Sequence, residues 1–176
     1  MKRENTIMEI LGWLRAVAIA FVCALIINNI LIVNAVVISP SMESTVMTGS
    51  RIMGSRITYV ISEPERFDII LFKAPDGETT IPFLKRIIGL PNEIVEIKDG
   101  KVYIDDSDIP LDDSFIMEEA HGNYGPFMVP DNSYFVLGDN RNRSHDSKNW
   151  TNKYVLKDKI LGKVYIEYFP NPQLFD

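Results

Sequence analysis

A run of 23 residues from Ala16 to Ile38 carries no charge, and this run constrains the chain more than any other feature. As a helix rising ~1.5 Å per residue it would extend roughly 34 Å, enough to cross a hydrocarbon layer of about 30 Å. Buried helices of this composition are rare in soluble folds. The run therefore predicts a membrane anchor over 16–38, with residues 1–15 cytoplasmic and a single extracytoplasmic domain over 39–176. A cleavable leader is the competing reading, because Val33-Asn34-Ala35 offers small residues at a suitable spacing. Leader cores usually run to roughly 7–15 apolar residues, so the length favours an uncleaved anchor. Asn28, Asn29 and Asn34 need hydrogen-bond partners if they lie in lipid.

Charge divides along the same line. Lys2, Arg3 and Arg15 against Glu4 and Glu9 leave the first 15 residues at +1 and the remainder at −7, in a chain of net charge −6. The basic tip, with Trp13 at interfacial depth, keeps the N-terminus cytoplasmic, and the acidic remainder argues against a nucleic-acid partner. The only cysteine, Cys23, falls within the run, so no intramolecular disulfide can form. With two histidines and no ligand-spaced cluster, neither a metal site nor a cofactor is expected.

Beyond the run the chain reads as mainly β. Short apolar stretches occur at 68–72, 82–88, 93–98, 101–105, 133–137 and 160–168, and Asp99-Gly100 between the third and fourth is a type I′ hairpin turn. Residues 106–132, acidic and broken by Gly and Pro, are expected to form a long surface excursion.

Three segments carry groups able to do chemistry. Ser39-Pro40-Ser41-Met42 follows the run directly; Phe83-Leu84-Lys85-Arg86-Ile87-Ile88-Gly89-Leu90-Pro91 sets a lysine among apolar neighbours; Gly138-Asp139-Asn140-Arg141 opens a polar loop that continues to Ser144, Asp146 and Lys148. Each alone reads as a linker, an edge strand or a loop. A serine hydroxyl needs a base, and a lysine can serve if desolvation lowers its pKa by several units.

In this order behind an anchor, the three segments resemble the sequence boxes of the bacterial type I signal peptidases, over essentially 16–169. The resemblance implies a signal-peptidase-like domain of antiparallel sheets. It implies a serine endopeptidase that removes signal peptides from secreted preproteins, cutting after small residues in an Ala-X-Ala pattern. Its partners would be preprotein signal peptides and the lipid bilayer of a bacterial cell membrane, near the export machinery. By the same resemblance Ser41 looks like the nucleophile, Lys85 the base, and the Ser41 N–H with the Ser39 hydroxyl the oxyanion hole. Ser144 resembles the serine that orients the lysine. Asp146, paired with Lys148, and Asp139, Asn140 and Arg141 look like loop support. Val37, Met42 and Leu84 are the expected walls of the substrate pocket. His145 is expected to be a loop residue rather than a catalyst.

The sequence departs from the family at Ser44, where proline is usual, at Pro40, where glycine often precedes the nucleophile, and at Lys148, where arginine is typical. A LexA-like self-cleaving Ser/Lys protease and an anchored binding protein without catalysis are the other readings. The anchor opposes the first, and the presence of Ser41, Lys85 and Ser144 together opposes the second.

Overall fold

A computed structural model describes residues 2–75 and 80–175, with side chains from Met8 onward. The side chains of Lys2, Arg3 and Glu4, on which the expected orientation partly rests, lie outside the described residues. Helix α1, Lys2–Ile26, ends in a π-turn over Ile27–Leu31. From Met8 to Ile30 every side chain is exposed, although most are apolar, and Met8–Leu31 is long and apolar enough to cross a membrane.

The helix is shorter at its C-terminal end than the uncharged run predicts. Ile32–Val36 forms strand β1 instead, paired antiparallel with β2, Arg51–Ser55, from Ile32 opposite Ser55 to Val36 opposite Arg51. The span is thus displaced toward the N-terminus, and residues 32–38 belong to the folded domain. The cause is a period of two hidden in a uniformly apolar sequence: Val33 and Val37 are buried while Asn34, Val36 and Ile38 face out. Arg56 fixes the junction, donating its backbone N–H to Leu31 O and Nε to Ile32 O, both at 2.9 Å. Val33-Asn34-Ala35 therefore lies within a paired strand. Asn34 also answers part of the amide problem, with Nδ2 3.5 Å from Asn28 Oδ1.

A single-turn helix α2, Thr58–Ile61, leads into β3, Ile69–Phe72, and β4, Phe83–Gly89. The hairpin of β5, Ile94–Lys98, and β6, Lys101–Ile104, turns at Asp99 and Gly100, both at positive φ as the dipeptide predicts. The expected excursion holds a strand, β7, Tyr124–Met128, which pairs with β5. Gly125 and Pro126 mask it in the sequence, being poor strand formers. Then come β8, Ser133–Leu137; β9, Val155–Leu156; β10, Ile160–Phe169; and β11, Gln173–Leu174.

The larger sheet runs β1-β2-β10-β3-β4-β8-β9, with β11 on β10, and the smaller runs β6-β5-β7; all pairs are antiparallel. Strand β4 lies between β3 and β8 and is buried on both faces. Its alternation sends Leu84 into a core cluster with Val33, Val37, Ile52 and Leu71, while Phe83 and Ile87 pack with Phe72, Val136 and Trp150. Lys85 shares the face of Phe83 and Ile87, so its stem rises from apolar ground.

Candidate active site

The nucleophile segment is a one-turn 3-10 helix, Pro40–Met42, closed by Glu43 N–H to Pro40 O at 3.1 Å. Proline suits the first position of such a turn because it has no N–H to leave unsatisfied. The Ser41 N–H, in the same first turn, has no carbonyl three residues back within the helix and stays available.

Lys85 reaches this turn from β4. Its Nζ lies 2.6 Å from Ser41 Oγ and 3.1 Å from Leu84 O, and the side chain of Phe83 lies beside it, ring centroid to Nζ 6.0 Å. Ser41 is 6% exposed and Lys85 4%. Burial lowers the Lys85 pKa from 10.5 to about 8, with Lys148 acting in the same direction and Asp146 and Asp139 opposing it. Ser39 Oγ lies 3.2 Å from Ser41 Oγ, so the two serines predicted to share the oxyanion and nucleophile roles sit together.

The third segment clamps this arrangement. Asn140 donates Nδ2 to Pro40 O at 3.0 Å and its backbone N–H to Ser41 O at 3.1 Å. Asp139 grips Arg86, the neighbour of Lys85, through Nε at 2.9 Å and Nη2 at 2.7 Å. Asp146, fully buried, accepts Gly138 N–H at 3.0 Å and pairs with Lys148 at 3.0 Å. Lys148 also reaches Ser144 O, at 3.2 Å. Arg141 pairs with Asp113 at 3.1 Å, on the segment between β6 and β7, and not with the dyad.

Ser144 Oγ is buried and, among the described residues, without a hydrogen-bond partner. It does not bond Lys85 here. It packs against Gly138, where an added Cβ would come within 2.3 Å of both Ser144 Oγ and Ser41 O, so only glycine fits between the nucleophile turn and the loop. Gly138 and Thr45, whose hydroxyl donates to Asp139, were not among the expected site residues, whereas Asn140 was expected only as loop support. Gly138 and Asn140 lie in the box already singled out; Thr45 has no local signal, because its partner is 94 residues away.

A cleft of about 320 Å³ opens over the dyad between 35–41 and 81–85, with Ile52, Leu71, Arg143 and His145 completing its walls. Val37 and Leu84 line it. Met42 does not: it is fully buried in the core beneath, because the 3-10 turn that presents Ser41 outward directs the next residue inward. His145 is exposed on the cleft wall against Trp150, with ring centroids 6.5 Å apart, and its ring makes no hydrogen bond to the dyad. Ser44 adopts φ +93, which proline cannot, so the departure from the family pattern there is a different turn. No group of three His, Cys, Asp or Glu among the described residues could hold a metal ion.

The family model described as "Signal peptidase, peptidase S26" matches residues 10–169. The chain belongs to the peptidase S26 signal peptidase family. It is 35% identical over 175 residues to "Probable signal peptidase I-2" of Synechocystis sp., covering 97% of this chain and 77% of that one. It is 33% identical over 183 residues to "Signal peptidase I S" of Bacillus subtilis, covering 97% of this chain and 96% of the relative. A signal peptidase I structure from Enterococcus faecalis V583 aligns at TM-score 0.47 and 32% identity over 58% of this chain and 97% of that one. As a member of this family the chain is a serine peptidase with a mainly β, antiparallel catalytic domain.

Proposed function

We propose that the chain is a membrane-anchored signal peptidase I that removes N-terminal signal peptides from preproteins with Ser41 as nucleophile and Lys85 as general base. The observation carrying this reading is the 2.6 Å contact between Lys85 Nζ and Ser41 Oγ at a buried amine whose pKa is held near 8. Neutral Lys85 takes the Ser41 proton as Oγ attacks the scissile carbonyl. The Ser41 N–H and the Ser39 hydroxyl receive the developing oxyanion, and Lys85 returns the proton to the leaving amine. Water then hydrolyses the acyl-enzyme with Lys85 again as base. The unpartnered Ser144 hydroxyl is the acceptor left for the ammonium once its bond to Ser41 is lost.

The signal peptide enters extended in the cleft between 35–38 and 82–84, along the strands that carry Val37 and Leu84. Val37 and Leu84 close the space beneath it, which suits Ala at the first and third positions before the cut. The helix spans a bacterial cell membrane once with a cytoplasmic N-terminus, which sets the domain outside, beside the bilayer and the export machinery. No step calls for a metal, a cofactor or a nucleic acid.

The test is cleavage of a preprotein carrying Ala at both positions by the detergent-solubilised full chain, with the new N-terminus identified by mass spectrometry. The expected cut follows the second Ala. Absence of turnover would favour the anchored binding protein instead. The pH profile supplies a second prediction. Below about pH 8 Lys85 is protonated and cannot act as base, so kcat/KM is expected to rise with pH through a limb near 8 and to lie about 100-fold below its plateau at pH 6. A histidine base would place the limb near ~6.5 instead.

A further inference from the structure

Glu167, within β10, is 1% exposed, and no lysine or arginine pairs with it among the described residues. A carboxyl buried without a cation is unfavourable unless its oxygens are otherwise satisfied. Here neutral donors satisfy both: Ser50 Oγ donates to Oε1 at 2.6 Å and Gln173 Nε2 to Oε2 at 2.9 Å.

Both donors lead to the loop that carries the nucleophile. Ser50 ends that loop, and its carbonyl accepts the Val37 N–H at 2.9 Å, holding one wall of the cleft. Gln173 Nε2 uses its second hydrogen on Thr45 O at 2.9 Å, in the middle of the loop. Thr45 in turn donates its hydroxyl to Asp139, the carboxylate that holds Arg86 beside Lys85. We propose that Glu167 is a positioning residue for the peptidase reaction: through Ser50 and Gln173 it fixes the end and the middle of the Ser41 loop, which Thr45 and Asp139 in turn hold against the strand that carries Lys85.

This inference rests on Ser41 and Lys85 being the reacting pair. Glu167 touches neither, so its removal is expected to act on the rate of attack rather than on substrate affinity. A small displacement between nucleophile and base suffices, since about 1 Å of misplacement can lower a rate by about 100-fold.

The experiment uses the full chain in detergent with Gln173→Ala, Glu167→Gln, Glu167→Ala and the Glu167→Ala/Gln173→Ala double variant. Gln173 is exposed, so its truncation leaves the core intact even if Glu167→Ala folds poorly. Gln173→Ala is expected to lower kcat about tenfold with KM within about twofold, the melting temperature falling by only a few degrees as Glu167 Oε2 loses its donor. Labelling of Ser41 by a fluorophosphonate probe is expected to slow in parallel. Glu167→Gln, which keeps one acceptor oxygen, should retain more activity than Glu167→Ala, and the double variant should be no worse than Glu167→Ala because one network is broken once. Wild-type kcat and labelling in Gln173→Ala, or additive losses in the double variant, would overturn the proposal. Full activity in Ser41→Ala would instead overturn the assignment of the nucleophile, which keeps the two failures apart.

Discussion

Replacing Lys85 with methionine is expected to lower kcat/KM by about 10³- to 10⁴-fold while leaving the melting temperature unchanged or higher. The two effects have one origin. Folding carries the amine from water to a site where it is 4% exposed and its pKa falls from 10.5 to about 8. Because the folded pKa is the lower, the unfolded chain binds the proton more tightly. The native state is thereby opposed by about 3 kcal/mol at pH 7, a penalty complete below about pH 8 that fades as pH rises toward 10.5. Methionine keeps most of the stem volume against Phe83 and carries no charge to desolvate. Steady-state cleavage with thermal melting at pH 7 and pH 9 checks this, the stability advantage of the variant shrinking at the higher pH. Activity within tenfold of wild type would move the base elsewhere, and His145 on the cleft wall would be examined first.

The surrounding charges explain why this lysine alone is poised. Arg86 has Asp139, Arg141 has Asp113, and Lys148 has Asp146, each within salt-bridge distance. Among the described residues Lys85 has no such carboxylate and bonds a hydroxyl and a carbonyl. A carboxylate at hydrogen-bond distance would favour the ammonium and silence the base. Asp146 and Asp139 both act on Lys85, yet burial outweighs them, because each is already held by its own cation.

Much of this was legible in the sequence, and what was not has physical reasons. The Asp99-Gly100 hairpin and the strands around Lys85 and Phe135 announced themselves through turn chemistry and β-branched runs. Strand β1 did not, since a run apolar at every position conceals whether its period is two or 3.6, and pairing with β2 decided the matter. Strand β7 was hidden by Gly125-Pro126. At the site, Ser39, Ser41, Lys85, Asp139 and Asp146, scattered over three segments, lie close together. Met42 is not on the cleft wall expected of it, because the direction of a side chain after a 3-10 turn is set by geometry that residue type does not encode. The clamp through Thr45, Gln173 and Glu167 joins residues far apart in sequence, which no local pattern could have brought together.

Asp139→Ala is expected to destabilise the domain by about 3–5 kcal/mol and to lower its melting temperature by about 10–20 °C. The Arg86 and Asp139 side chains are 9% and 1% exposed, and the carboxylate takes two guanidinium hydrogens and the Thr45 hydroxyl together. Alanine leaves the guanidinium in the interior with Phe67 O and the Phe115 ring, 4.2 Å from its carbon, as its remaining partners. Neither neutralises a full charge, which is why breaking such a pair costs more than the pair itself contributes. Removing both partners with Arg86→Met and Asp139→Leu together is expected to recover much of the loss in melting temperature, since no unpaired charge then remains. Activity is not expected to return with it: the double variant still lacks the bond from Thr45, so the Ser41 loop and the strand bearing Lys85 lose their link. Recovery of both stability and rate would show that Asp139 acts only through the charge it neutralises, whereas recovery of stability alone separates holding the fold from aligning the dyad.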